Sequence, residues 1–599
     1  MNARVLSSFV AMLALELGAC AAAPPKPRFP SAQAVAQLAA EPVSAPPDAQ
    51  PVADVAEWRL TGPLPDVIDG RLHAPATTWD RLLGEATAGR SGSLLATEAA
   101  ACAAREIGLF QAAQAGAPSI RLVRFIAARC GVLAPTLTTG CRIAAATEGV
   151  SDEQVFASEA PAVTAALSAA MQQAGTEMTE AGLWIGRKEA HPLICWAVAP
   201  RLFAAQRATL VPDAGGAISI EGELEDVQVD ALIGAGPLGT RPCAVKQDQP
   251  PRVSLSCPVQ RADAAAWIDV IAAGAGEIAG RPVLSLLVWP AGQPDDTYHR
   301  LSAEAANPSL ACPSPPGASV GGAVAGCINQ VRQTAGAQPL PLADEQSRTI
   351  AALVPRLFVG LQGRAAAATL DQVSLGLRAG WQTNADLSYG QLAHAAQEGN
   401  PDPAALVSGL LEHPLGRVTL LDAEARLLAV GAATLPGGGA TGLVAATYRV
   451  ADKKKLDQSV WAAQVLARIN SARAARGQPA ITIYDGDRGH TMMEADRLTE
   501  GRHGLLRAIS DATESGAEGI KIGHVHGWTR ETDAPASLAV PEALLTLSEV
   551  SIGVGRYRPP GEPWARFVVL LVAPHETKGD VGDDMGVVFW PTIYQTSTK

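Results

Sequence analysis

The chain has little clustered basic charge, three consecutive lysines at 453–455 being its one basic run, and 59 Asp and Glu outnumber 47 Lys and Arg, for a formal charge of −12. Neutralising phosphates requires clustered Lys and Arg, so this balance excludes a nucleic-acid partner. No Cys-x-x-Cys is present, which removes the common zinc and thiol-redox motifs. Past the first twenty residues, no apolar stretch approaches the roughly 18 residues that a membrane-spanning helix needs. Cysteine stops at Cys327, so everything beyond it must fold on apolar cores alone.

What is present fits a globular chain. Its 599 residues are 48% hydrophobic and 18% charged, enough apolar material for several cores and roughly three to five domains. The N-terminus "MNARVLSSFVAMLALELGAC" places Arg4 before an apolar stretch, interrupted by Glu16, that ends in Leu17-Gly18-Ala19-Cys20. This pattern resembles a secretory signal ending in the bacterial lipobox, whose cysteine receives lipid after cleavage. Cys20 is therefore the expected lipid-attachment residue over a signal at 1–20, with a Pro/Ala-rich tether at 21–54. The implied location is the bacterial cell envelope. Ala21, rather than an aspartate, follows Cys20 and favours the outer membrane. Eight further cysteines, Cys102, Cys130, Cys141, Cys195, Cys243, Cys257, Cys312 and Cys327, form an even set in an exported chain and read as disulfides. On the order of a hundred pairings are possible. Sequential pairing is preferred, most of all for Cys243 with Cys257 across a strand pair.

A design recurs along the chain. Residues 182–201, 427–449 and 550–573 each read as a Gly-punctuated strand, a polar turn and a long apolar strand. "FVVLLV" in the last is continuously apolar, as a central strand covered on both faces would be. Two helical starts match each other: Asn329, Arg332, Gly336, Leu340 and Asn470, Arg473, Gly477, Ile481 share one spacing. In each, the glycine suits a helix C-terminus. A looser third start is "CAAREIGLFQAAQAG". Between the first hairpin and Cys312, short strands with turns every eight to twelve residues predict a β-sandwich of about ninety residues. The expected division is 55–205 helices then hairpin, 206–308 β-sandwich, 309–451 and 452–576 two clearer repeats, and 577–599 a tail.

With these residues in view, the repeats resemble the CAP superfamily, the SCP-like domain of secreted and envelope proteins. That family opens with Asn-x-x-Arg-x-x-x-Gly and later carries a "GHRANLLD" segment before a Val-Gly-Val-Gly strand. Here "HPLGRVTLLD", residues 413–422, matches that segment without a gap. The resemblance implies an α/β (α+β) chain of tandem α-β-α sandwich modules with an inserted antiparallel β-sandwich. It also implies a cleft with two histidines and two acids able to hold a divalent metal. The two histidine positions fall on Gly416 and Leu353, which neither ligate metal nor transfer protons. His413, displaced by three positions, reads as a surface histidine.

Other motif matches lack their context. "GAGPLG", Gly234–Gly239, is a literal GxGxxG, but Pro237 and the prolines beyond prevent the helix that a dinucleotide needs. "GASVG" around Ser319 resembles a nucleophile elbow without the preceding strand, and reads as an interdomain loop. His524 and His526 share a strand face, and only His490 or His503 could complete a metal set; exposed polar histidines are the expectation. "DGDRGHTMMEAD" lacks the glycine of a calcium loop. The expectation is a lipid-anchored, non-catalytic binding or scaffolding protein with no cofactor or metal, touching the membrane through its lipid, its further partner undefined. The alternatives are an envelope hydrolase using Ser319 and a carrier of apolar ligands.

Overall fold

The computed structural model describes residues 29–43, 51–62 except 54, 67–69, 84, 93–145, 150–300 and 319–450 with short gaps, 312, 458–483, and the strands and some single residues within 520–574. The signal and Cys20 lie outside the described residues, as does 577–599.

The middle of the chain shows how alternation builds a layer. Strand β18 (Ala440–Val450) runs between β16 (Leu387–Glu398) and β17 (Leu427–Thr434), antiparallel to both. Successive side chains of a strand point to opposite faces. Leu443 and Ala445 enter one core, with Ile328 and Val331 of helix α5 (Val320–Thr334) and Leu406 and Leu410 of α8 (Pro403–Glu412). Val444, Ala446 and Tyr448 enter the other, with Leu353 and Phe358 of α6 (Asp344–Leu361) and Leu377 of α7 (Ala367–Ala379). The unit is a three-layer α-β-α sandwich.

The first unit orders its strands in the same way. β3 (Ser93–Ala96) pairs in parallel with β5 (Met178–Lys188), β5 with β6 (His191–Pro200), and β6 with β4 (Thr138–Ile143), with α4 (Asp152–Ala174) packed on β6. In the middle unit a parallel bridge from Leu342 to Leu428 takes the place of β3. In the last unit β19 (Thr482–Ile483) does so, pairing in parallel with β22 (Glu549–Tyr557). There β23 (Arg566–Pro574), which carries "FVVLLV", lies between β22 and β21 (Val525–Thr532), with β20 (Ile520–Ile522) at the far edge. Helices and strands together, in several small sheets, make this an α/β chain.

The first unit corrects one expectation. In the other two, the parallel contact follows the opening helix, α5 or α10 (Gln458–Ala474). In the first, β3 leads directly into α2 (Glu98–Ala113), so "CAAREIGLFQAAQAG" occupies the place of the second helix, α6. Packing agrees: an added Cβ at Gly182 on β5 would overlap the backbone of Ala100 in α2, as one at Gly431 on β17 would overlap Ala351 in α6. Each glycine lets a helix backbone rest on its strand.

Nine strands form a β-sandwich between these units. One sheet is β10 (Gly239–Pro242), β9 (Gln228–Ala235), β13 (Ala266–Ala273) and β14 (Arg281–Val288). The other is β11 (Ala244–Gln249), β12 (Arg252–Pro258), β8 (Ala217–Glu223), β7 (Ala204–Thr209) and β2 (Val67–Asp69). Strand β12 alternates strictly, with Val253, Leu255 and Cys257 buried. The sheet's fifth strand, β2, pairs with β7 and comes from 67–69, so the sandwich is not confined to 206–308 as expected; Ile68 belongs to its core. A short pair, β1 (Glu57–Arg59) and β15 (Thr297–His299), again joins early to late chain.

The disulfides pair in sequence order: Cys102–Cys130 joins α2 to α3 (Ile120–Cys130), Cys141–Cys195 joins facing positions of β4 and β6, Cys243–Cys257 bridges the start of β11 to β12, and Cys312–Cys327 reaches α5.

The expected tether is corrected as well. Within it, Ser31 caps helix α1 (Ala32–Ala40), which packs on α6 and α7. Phe29 and Val35 are buried, Trp381 Nε1 donates to the Pro30 carbonyl at 3.0 Å, and Arg356 pairs with Glu41 at 3.1 Å. Burying the two apolar side chains contributes roughly 1.5–3 kcal/mol each, enough to dock a segment whose composition alone reads as linker. Trp564, just before β23, inserts here, with ring centroids 4.6 Å from Phe29 and 5.4 Å from Tyr389.

Candidate functional site

The repeated spacing turns out to be a hydrogen-bonded lock. Asn329 Nδ2 donates to the Leu340 carbonyl at 2.9 Å while its Oδ1 accepts the Leu340 N–H at 2.8 Å. Asn470 makes the same two bonds with Ile481, at 3.2 and 2.8 Å. Arg332 Nε donates to Gln338 O and Arg473 Nε to Pro479 O, both at 2.7 Å. The glycines between, Gly336 and Gly477, have φ of 77° and 69° and turn the chain back along its helix. One helical face carries Asn and, three residues on, Arg. The reversal brings the aliphatic residue beside the Asn. The arginines then cross to more distant chain: Arg332 to Leu420 O at 2.5 Å and Asp422 O at 3.1 Å, Arg473 to Leu545 O at 2.7 Å.

Arg332 thus holds the end of residues 413–422, and the rest of that segment faces another domain. His413 joins α8 to α9 (Pro414–Leu421), with extended backbone as suits a residue before proline. Its ring stacks on Trp267 of β13 at 4.6 Å, and its Nδ1 lies 3.4 Å from Asp269 Oδ1. Helix α9 has no side-chain cap of its own; the Leu415 N–H in its first turn points to Asp269 Oδ2 at 3.5 Å. Arg417 donates to Leu411 O at 2.6 Å, and to the carbonyls of Gly236 and Gly239 at 2.9 and 2.7 Å. Those glycines bound the β9–β10 turn, so "GAGPLG" is a hairpin turn gripped by an arginine from the middle unit.

Helix α3 brings a third element to this seam. Arg121 makes a two-pronged pair with Glu412, at 2.7 and 2.9 Å, and also donates to the His299 carbonyl. Burial alone raises the Asp269 carboxyl; His413, the Ser285 hydroxyl at 2.7 Å and the Leu415 N–H overcome this and hold it below the ordinary range. Burial raises Glu412 too, and Arg121 brings it below. His394 on β16, near these charges, is pushed down to about 3 by burial, then by Arg124 and His413, so its imidazole is neutral. A cavity of about 40 Å³ lies among Arg121, Arg124, Trp267, Glu412 and His413, room for a water or two. A second, of about 140 Å³, adjoins it between α3 and the far end of β16. Around the smaller cavity Arg121 takes both oxygens of Glu412 while Asp269 takes His413 and Leu415, an arrangement suited to holding three elements together.

His413 is therefore not a surface histidine: its side chain is 18% exposed, because proline at the helix joint turns it onto the sandwich. Gly416 is buried against the preceding helix, where an added Cβ would overlap the Leu410 carbonyl oxygen, and Leu353 lies in the core at 0% exposure. Neither position that the resemblance assigns to a histidine lines either of the two cavities described above. Ser319, expected in a loop, is the N-cap of α5, its Oγ accepting the Gly322 N–H at 3.1 Å; among the described residues no base bonds to it. His526 faces Ala573 in the β21–β23 register, while His490, His503, His524 and the 485–496 stretch lie outside the described residues. Sequence reading passed over Arg121, Asp269, Glu412 and Arg417. One sign was available: Asp269 is a lone acid within the apolar strand "AAWIDVIAAG".

No family model and no curated protein matches the chain. Among solved structures it is similar in part to an extracellular protein containing an SCP domain from Bacillus anthracis, at 10% identity and a TM-score of 0.17, covering 42% of this chain and 86% of that one. It is similar likewise to a cysteine-rich secretory protein from Staphylococcus aureus, at 9% identity and a TM-score of 0.17, covering 41% and 85%.

Proposed function

We propose that this is a lipid-anchored, non-catalytic protein of the cell envelope, in which three CAP-like units and a β-sandwich form a binding or scaffolding body. One observation carries the reading. The segment that matches the family's cleft signature is spent on domain docking: His413, Leu415 and Arg417 address the sandwich, and Gly416 abuts Leu410. A residue used to fasten two domains, in a wall too tight for a side chain, is not available to bind and turn over a substrate. Four disulfides favour an oxidising compartment outside the cytosol. Cys20 supplies the anchor in this reading, at the outer membrane. With Phe29 and α1 docked, the span left for a tether is short. Among the described residues no helix is long and apolar enough to cross a membrane.

The test is fractionation of cells expressing the full chain and Cys20→Ala. Wild type should sediment with membranes and the variant should move to the soluble fraction, since each buried lipid methylene contributes ~0.8 kcal/mol. Membrane retention of the variant would overturn the anchor. Turnover in a hydrolase screen that disappears on Ser319→Ala, with Tm unchanged, would overturn the non-catalytic reading.

A further inference from the structure

The larger cavity, about 140 Å³, lies where the first and middle units meet. Ile120 and Val123 of α3 and Leu137 ahead of β4 form one wall; Leu361 at the end of α6 and Leu435 in the β17–β18 turn form another. Polar side chains share the lining, among them Gln111, Ser119, Gln362 and Gln397, and two charged ones enter it, Arg124 and Glu398.

Arg124 is unusual among the arginines of the seam. Within the described residues it makes no hydrogen bond; its charge is felt by Asp269 and Glu412, yet both are already engaged. Asp269 faces Ser285, His413 and Leu415, and Glu412 gives both oxygens to Arg121. Five donor N–H groups fixed in a plane, with no acceptor of their own, leave a demand that an anion with two oxygens meets best. Burial without such a partner lowers the Arg124 guanidinium from its ordinary value. Glu398 is 6% exposed and holds a single hydrogen bond, from the Tyr298 hydroxyl at 3.3 Å. It would oppose a second negative charge and accept a donor.

Size narrows the class. An apolar cavity of roughly 150 Å³ holds benzene, so this one takes a body of about six to nine heavy atoms. We propose that the cavity is a binding site for a small monocarboxylate with an apolar body, its carboxylate on Arg124 and its body against Ile120, Val123 and Leu435. Dicarboxylates are excluded by Glu398, and neutral analogues leave Arg124 unanswered. The proposal goes beyond the envelope-scaffold reading and holds whether or not Cys20 carries lipid.

The test is calorimetric titration of the purified full chain with 4-methylpentanoate, 4-methylpentan-1-ol and adipate at neutral pH. The expected result is a Kd for 4-methylpentanoate tighter than about 1 mM, with the alcohol at least tenfold weaker and adipate silent. Arg124→Gln should weaken 4-methylpentanoate at least tenfold and bring it level with the alcohol. Leu137→Trp, which fills the cavity and keeps the charge, should weaken both probes. Equal binding of acid and alcohol by the wild-type chain, which needs no variant, would overturn the proposal. So would silence of all three probes, or an Arg124→Gln protein that melts like wild type and binds 4-methylpentanoate unchanged.

Discussion

The first and last helix-and-sheet units share a strand order and are fastened by different chemistry. In the first, covalent bonds do the fastening: Cys102–Cys130 pins α3 to α2, and Cys141–Cys195 crosses β4 and β6. In the last, which has no cysteine, Asn470 and Arg473 fasten the opening helix to the chain that follows it. The middle unit has both devices, with Cys327 and Asn329 two residues apart on α5. A motif that looks like the signature of a site is, on this comparison, an alternative to a disulfide. Its asparagine and arginine are spent on backbone carbonyls and one backbone N–H.

Removing the lock should have the largest effect. Arg473 is 5% exposed and bonds Pro479 O and Leu545 O, so Arg473→Ala leaves two inner carbonyls without a donor. A loss of about 3–5 kcal/mol is expected. Hydrogen exchange should show it as opening of α10 and β19 with the first unit still protected; equal opening of both would break the comparison. Removing the staple should come next. The Cys102–Cys130 loop has a separation of 28 residues, and Cys102→Ala with Cys130→Ala should cost about 3.6 kcal/mol, by the entropy returned to the unfolded chain. Exchange should rise in α2 and α3 and leave α10 unchanged.

The smallest effect concerns the seam, which uses neither device. His394 is held at about 3 when folded, against 6.5 when free. Below pH 6.5 the unfolded chain therefore takes up a proton that the folded chain refuses, and stability falls as pH drops toward 3. The slope is at most about 1.4 kcal/mol per pH unit for this one group. His394→Phe keeps a ring against Phe358, whose centroid is 5.9 Å away, and should flatten urea-unfolding stability between pH 6.5 and 4.5. Asp269 and Glu412, depressed in the fold, act in the same sense only lower, around and below the ordinary carboxylate range. A slope unchanged by His394→Phe would remove His394 from the account.

Local patterns were legible in the sequence where they have a period. Turn spacing marked the sandwich strands, the Gly-punctuated hairpin pattern marked β22, the unbroken run marked β23 as a central strand, and glycine marked the turns after α5 and α10. Composition misled where docking overrides it. Residues 29–43 look like linker, but Phe29 and Val35 find apolar surface on a unit more than three hundred residues away in the chain. The seam was illegible for a similar reason: Arg121, Asp269 and Glu412 come from three separate elements, and nothing within any one stretch announces the other two. Arg417 was visible as part of a signature, but what it grips, the turn at Gly236 and Gly239, is fixed only by tertiary structure.

The contact of Phe29 with Trp564 has a mechanical side. These rings belong to segments at opposite ends of the described chain and meet at 4.6 Å. A tensile load entering near Phe29 and leaving through β23 is short-circuited across that contact, without passing through the first unit, the sandwich or the seam. The middle unit, whose core holds Phe29, Val35 and Trp564 together, takes that pull, and once these contacts part the other domains bear it in series.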